Sequence, residues 1–179
     1  KFQLAGWVLP KAEHTYDVEQ VVTLKPKRTQ LALLIETATG LAHARLLSAL
    51  EGVHRLMFGT IDFQLDMGMK CDPLETQLNA FRAELALASR LAGLEAPVDG
   101  VIASTTDKEL LEQSVRQARA YGFGAKLCIH PRQVDTVNQG FMPTEHERDW
   151  AQRVLQANEK YQGEAFSVDG KMVDAPVIA

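Results

Sequence analysis

The sequence predicts an α/β protein built on a parallel sheet, and three observations say so. Short aliphatic runs, of which Leu31 to Ile35 (LALLI) is the clearest, lack the polar alternation of a half-solvated strand. Between them lie longer segments with apolar residues at helical spacing. Strand and helix alternate roughly every 25–30 residues, about five times over, which is the rhythm of βα units. Five strands fit either an open doubly wound sheet or part of a (β/α)8 barrel. No GxGxxG or GxxxxGK[ST] follows any strand, so the nucleotide-binding doubly wound forms lose ground.

In chain order, the apolar run in Gly6 to Pro10 reads as a short strand stopped by proline. His14 to Leu24 is compatible with a helix, and KPKRTQ is a polar connector. Leu31 to Ile35 reads as a strand buried on both faces, followed by a helix over Gly40 to Leu50 that Gly52 ends. Leu56 to Phe58 is the next strand, and Gly59 to Pro73 reads as a long polar loop. Leu74 to Ala92 is the clearest helix, closed by Gly93. VDGVIA is a strand, and Thr106-x-x-Glu109 a capping box for a helix reaching Tyr121. Lys126 to Ile129 is a strand ending at His130-Pro131, and Gln133 to Asn138 a short helical turn. Thr144-x-x-Glu147 is a second capping box, opening a helix to about residue 161. The tail from Gly163 reads as a loop or extended flap.

Composition narrows the function classes. The chain has 179 residues, 46% hydrophobic and 23% charged, with a formal net charge of −4. No basic excess points to nucleic acid, and no apolar run approaches the ~20 residues needed to span a bilayer. The opening KFQLAGWVLP lacks the plan of a signal peptide, so a cytoplasmic protein is expected. It also lacks an initiator Met, so Lys1 need not be the natural start. Cys71 and Cys128 form no metal or redox spacing and read as unpaired thiols in a reducing compartment.

In parallel α/β folds the chemistry collects at the carboxyl ends of the strands. Those positions here hold Lys11 and Glu13, then Glu36, then Asp62, then the segment around Ser104, then His130. Glu36 and Asp62 follow adjacent strands and have small residues beside them (Thr37, Gly59, Thr60), a pattern suited to a hard divalent cation such as Mg2+. An acid after a strand also serves as a helix cap, so the pairing is what carries weight. His130 before Pro131 reads as a turn histidine, since no second His stands at a ligand spacing.

The segments LPKAE, LIETATGL, LMFGTIDFQLDMG, VDGV, GFGAKLCIHPRQV and GKMVDAPV, in that order, resemble the HpcH/HpaI aldolase–citrate lyase β-subunit superfamily. Within it the likeness is to the branch of citryl-CoA, malyl-CoA and citramalyl-CoA lyases. The resemblance covers essentially the whole chain. It implies a TIM barrel in trimers or larger assemblies, with Mg2+ held by Glu36 and Asp62. It implies that Gly59, Thr60 and Ile61, with Thr37 beside them, receive the substrate carboxylate, and that Lys11 supports the site. Asp174 is implied to sit on a C-terminal flap that closes a neighbouring subunit's site and to take part in proton transfer. Ile129, His130 and Pro131 are implied to lie toward the CoA side. The organisation then expected is a partial barrel over residues 1–162 and a flap over 163–179.

Two features depart from that pattern. Ala125-Lys126 stands where the family has Gly-Lys, a minor change. More seriously, the family's three preceding βα units, with an acidic strand end and a carboxylate-gripping arginine, have no match. About the last five βα units of a barrel are represented, and the expectation is that the N-terminal strands are missing from this sequence; a shortened, inactive relative is the alternative. The activity implied is Mg2+-dependent cleavage of a 3-hydroxy-carboxyacyl-CoA thioester to an acyl-CoA and a 2-oxo acid. A CoA-independent class II aldolase and a non-catalytic subunit remain the competing readings. Partners implied are the acyl-CoA, the 2-oxo acid and further copies of the chain, with no nucleic acid and no membrane.

Overall fold

A computed structural model describes residues 4–161 and 165–178. The first compact unit, Lys1–Phe141, contains a five-stranded sheet. Its elements are β1 (Gly6–Leu9), α1 (Thr15–Leu24), β2 (Gln30–Ile35), α2 (Ala38–Ala42), α3 (Ala44–Ser48), β3 (Arg55–Phe58), α4 (Thr60–Asp66), α5 (Asn79–Leu91), β4 (Val98–Asp99), α6 (Lys108–Ala120), β5 (Ala125–Lys126) and α7 (Pro131–Phe141). The strands are all parallel and run in the order β1-β2-β3-β4-β5, so each crossover places the next strand beside the last.

The side-chain period of two gives the sheet unequal faces. Leu31, Leu33, Ile35, Leu56 and Phe58 are fully buried against Val18, Ala44, Leu47, Leu85, Ala88 and Ala118 from the helices. The other face carries Ala32, Leu34 and Met57, which are half-buried, and Val8, which is exposed. LALLI is therefore not buried equally on both sides, as its unbroken aliphatic pattern suggested. Only the face toward the helices is closed.

Several elements differ from the sequence reading for identifiable reasons. The expected loop from Gly59 contains α4, which is pinned by fully buried Phe63 packing edge-on to Phe58, with ring centroids 5.2 Å apart. Two turns give too short a periodic signal to read. The expected helix over 40–50 is broken at His43, whose backbone (φ −97°, ψ 1°) leaves the helical region while its ring nitrogen Nδ1 meets Glu13 O at 2.7 Å. Asp107, not Thr106, caps α6, its carboxylate accepting from Leu110 N–H. The turn expected at Gln133–Asn138 extends to an 11-residue helix, α7.

The sheet narrows at β4 and β5, whose ladders are two residues long. Charged side chains take over there. Arg82 of α5 is fully buried; its Nε donates to Asp99 Oδ1 at 2.9 Å, one terminal amine to Glu75 Oε2 at 2.9 Å and the other to the Glu75 carbonyl. Lys126 Nζ donates to the second Asp99 oxygen at 2.7 Å. Burial pulls the Lys126 ammonium below the ordinary lysine range, and Asp99 opposes that. Glu75 holds its place in the left-handed region (φ 53°) with Gln64 bonded to its other oxygen.

The second compact unit, Met142–Ala179, holds α8 (Glu145–Tyr161), a hairpin of β6 (Phe166–Val168) and β7 (Lys171–Val173), and α9 (Ala175–Ile178). Thr144 and Glu147 form the capping box read from the sequence. The tail read as a loop is a hairpin because Asp169 and Gly170 both take positive φ (51° and 75°), the requirement of a two-residue turn that matches strand twist. Its core joins Val154 of α8 to Phe166, Val168 and Val173 of the hairpin. Gly163, Glu164 and Ala179 of the flap segment lie outside the described residues. Among the described residues no helix is long and apolar enough to cross a membrane.

Replacing Arg82 with Met removes the buried guanidinium from Asp99 and Glu75 and leaves one oxygen of each unpaired. The expected cost is about 3–5 kcal/mol of unfolding free energy, read from the urea midpoint at constant slope. A loss below about 1 kcal/mol would show that the cluster is not what fixes β4 and β5.

Candidate active site

The carboxyl ends of β2 and β3 converge on one cavity of about 150 Å³. Leu34, Glu36, Phe58, Gly59, Thr60, Ile61, Asp62, Val101 and Leu127 line it. Of the residues singled out from sequence, Glu36, Gly59, Thr60, Ile61 and Asp62 therefore meet there. Gly59 N–H donates to Ile35 O at 2.9 Å, which extends the β2–β3 ladder by one step and sets where α4 begins.

Glu36 is only 6% exposed, and two features hold it in that setting. Its Oε1 accepts the backbone N–H of Lys11 at 2.9 Å. That amide points at Glu36 because Lys11 sits in the left-handed region (φ 46°) and the next residue, Ala12, bonds back to Leu34 O at 3.2 Å. What reaches Glu36 from Lys11 is thus its main chain; the residue itself is exposed. The other feature is an absence. A Cβ on Gly59 would lie 2.5 Å from Glu36 Cβ and 2.8 Å from Glu36 Oε2, so the carboxylate occupies room that only glycine leaves.

Asp62 is exposed, in the first turn of α4, where the leading amides have no intrahelical acceptor. Since the Gly59 amide is taken by Ile35, the amides open to a carboxylate in this turn are those of Thr60, Ile61 and Asp62. Thr60 is 1% exposed, and its hydroxyl has no hydrogen-bond partner. It rests on Gly100, where a Cβ would come within 2.3 Å of that oxygen. Thr37 caps α2: its Oγ1 accepts from Gly40 N–H at 3.1 Å and donates to Glu13 Oε1 at 2.7 Å. The amide of Ala38 donates to Asp66 Oδ2 at 2.7 Å.

Ile129, His130 and Pro131 do not line this cavity; Leu127, just before them, does. They form the entry to α7, held by buried Gln133, whose Oε1 accepts from the amides of Ile129 and His130 and whose Nε2 donates to the carbonyls of Ile102 and Ser104. Asp174 lies in the second unit, between β7 and α9, and its carbonyl accepts from Val177 and Ile178. Among the described residues no group of three or more His, Cys, Asp and Glu is arranged to hold a metal.

Sequence reasoning missed the Gly59–Glu36 approach, the Gly100–Thr60 contact and Asp66. Recognising residues 60–66 as a helix would have placed Asp66 one turn beyond Asp62, on the same side.

Parallel strands in sequential order with a carboxylate-lined cavity at their carboxyl ends define a singly wound α/β protein. The pattern described as HpcH/HpaI aldolase/citrate lyase matches residues 2–131, and the chain belongs to that family. It is 36% identical to the citrate lyase subunit beta-like protein of Deinococcus radiodurans, over 99% of this chain and 64% of that protein. It is 32% identical to the (3S)-malyl-CoA thioesterase of Cereibacter sphaeroides, over 93% of this chain and 59% of that protein. Protein CitE from Mycobacterium tuberculosis, solved in complex with magnesium, acetoacetate and coenzyme A, superposes with a TM-score of 0.81 at 31% identity, over 97% of this chain and 64% of that one. RipC from Yersinia pestis gives 0.74 at 29% identity, over 80% and 66%. The chain thus spans a little under two thirds of these relatives.

Gly59→Ala is expected to destabilise the protein by about 1–3 kcal/mol, from overpacking against Glu36. Adding Glu36→Gly should recover part of that loss, because both close atoms belong to the Glu36 side chain. Strict additivity in the double-mutant cycle would show that the two residues do not compete for this space.

Proposed function

We propose that the protein is a Mg2+-dependent carbon–carbon lyase acting on a 3-hydroxyacyl-CoA that bears a neighbouring carboxylate. The substrate is of citryl-, malyl- or citramalyl-CoA type, and the products are an acyl-CoA and a 2-oxo acid. The observation that carries this reading is the meeting of Glu36 and Asp62 in one cavity at the ends of adjacent parallel strands.

The residues present fit the cation. Both carboxylates and the unpartnered Thr60 hydroxyl are hard oxygen donors. Two carboxylates are enough for Mg2+, which keeps several waters and takes its other ligands from substrate. Glu36 and Asp62 would hold it. Bound there, it supplies Lewis-acid polarisation of the substrate's hydroxyl and carboxylate oxygens. Lys11 N–H keeps Glu36 aimed into the cavity. The amides of Thr60, Ile61 and Asp62 receive the substrate carboxylate, with Thr37 beside them. Leu34, Phe58, Val101 and Leu127 wall the cavity with apolar surface and exclude water. Asp174 moves a proton to or from the carbon next to the thioester carbonyl. Ile129 to Pro131 lie toward the CoA arm.

The sheet is read as part of a (β/α)8 barrel over residues 1–162. Sequential parallel order and helices packed on one face support this, and so does the half-buried second face, which would line the barrel interior. The motif GKMVDAPV supports an assembly of three or more copies in which the segment 163–179 closes a neighbour's site. Unpaired Cys71 and Cys128 accord with a cytoplasmic setting.

A second reading is favoured by the likeness to a malyl-CoA thioesterase: hydrolysis of the thioester instead of carbon–carbon cleavage. The two separate by product. Cleavage yields a 2-oxo acid, trapped as its phenylhydrazone, without free thiol; hydrolysis yields free CoA thiol and no oxo acid.

Asp62→Asn and Glu36→Gln are each expected to lower kcat/KM by on the order of 100-fold and to raise the Mg2+ requirement. Full activity with unchanged Mg2+ affinity in Asp62→Asn would end this assignment. Asp174→Asn should lower kcat by about 100-fold or more with the Mg2+ dissociation constant unmoved, as calorimetry would show.

A further inference from the structure

Glu36 and Asp62 stand on separate elements: one on the chain leaving β2, the other on α4 after β3. Their mutual placement depends on what ties those elements together. One tie is the Gly59 amide on Ile35 O, which fixes where α4 starts. Another is Phe63, fully buried between Phe58 and Phe81 with ring centroids 5.2 and 5.0 Å away, which fixes how deep the helix sits. These ties, with buried Thr60 and the Gln64 bond to Glu75, hold the side of α4 opposite Asp62, since residues 60, 63 and 64 share one face and 62 and 66 the other.

Asp66 ties down the face that carries Asp62. Its Oδ2 accepts the amide of Ala38 at 2.7 Å, a charge-assisted bond to the first residue of α2, two positions after Glu36. Asp62 and Asp66 are one turn apart on α4 and share a face. The bond therefore turns that face toward the backbone that follows Glu36. The side chains of the same segment are held from the end of β1: Lys11 N–H donates to Glu36 Oε1, and Glu13 Oε1 accepts from the Thr37 hydroxyl. The segment from Glu36 to Ala38 is thus a strut between the β1 end and α4, and Asp66 is its only hydrogen-bonded tie to α4 among the described residues. Asp66 is exposed and adds nothing to the apolar core.

We propose that Asp66 is a positioning residue for the cation-binding pair: it touches neither cation nor substrate, and it ties the Asp62 face of α4 to the chain after Glu36, which sets the spacing of Asp62 and Glu36 across their shared cavity. The inference rests on the reading of Glu36 and Asp62 as Mg2+ ligands.

The test is calorimetric titration of Mg2+ into the purified full chain with a 2-oxo acid present, together with thermal melts. Asp66→Ala is expected to weaken Mg2+ binding about tenfold, the effect typical of losing a group that orients a ligand. Asp66→Asn keeps an acceptor oxygen for Ala38 and should stay within about threefold of the parent. Both variants should melt within about 2 °C of it, since the residue is exposed. Unchanged Mg2+ affinity in Asp66→Ala overturns the proposal, and so does an Asn variant as weak as the Ala variant, which would make Asp66 a direct ligand. Glu36→Gln and Asp62→Asn run alongside. If they abolish binding while Asp66→Ala does not weaken it, only the positioning role falls. If they leave binding unchanged, the metal reading falls and takes this one with it.

Discussion

The guanidinium of Arg82, buried among Asp99, Glu75 and Asn79, is the interaction on which the upper half of the sheet depends. β4 and β5 have too few ladder bonds to place themselves. A charge taken wholly out of water must be paired and hydrogen-bonded, or its desolvation would dominate. Arg82 satisfies that demand through the side chains of Asp99, Glu75 and Asn79 and the Glu75 carbonyl, and Asp99 in turn takes Lys126 of β5. One helix residue thereby locates two strand ends. The residues just past those ends form part of the cavity wall: Val101 beyond β4 and Leu127 beyond β5, with Gly100 providing the flat surface on which Thr60 rests.

The cleft itself is built by close approach. The Glu36 side chain lies in the room that the bare Cα of Gly59 leaves. An amide hydrogen bond from a left-handed Lys11 then supports the carboxylate without adding a second charged side chain. The roles divide cleanly. A main-chain amide orients Glu36, apolar residues wall the cavity, and the acidic side chains lining it are Glu36 and Asp62.

Glu75 joins the two regions. Its left-handed backbone lets one carboxylate accept from Gln64 of α4 and Arg82 of α5 together. α4 is thus connected both to the structural charge cluster through Gln64 and to the backbone after Glu36 through Asp66. The helix that carries Asp62 is held from two sides, by groups whose value lies in their geometry, since their exposed portions contribute little net stability.

The parallel sheet, the long helices α5 and α8, the family and the two acids at adjacent strand ends are all legible in the amino-acid sequence. They are legible because they rest on local patterns: aliphatic runs such as LALLI, the helical spacing from Leu78 to Leu91, the Thr144–Glu147 box, and short motifs whose order is itself informative. Tertiary packing was needed to establish that α4 exists, that Arg82 is an interior residue, that Lys11 contributes an amide, and that Asp66 reaches Ala38. Each of these joins residues far apart in the chain or hides in a segment too short to show a period. Helical spacing marks a face but does not say what that face meets. For Arg82 it met a buried carboxylate from a strand 17 positions on, and no pattern within α5 encodes that.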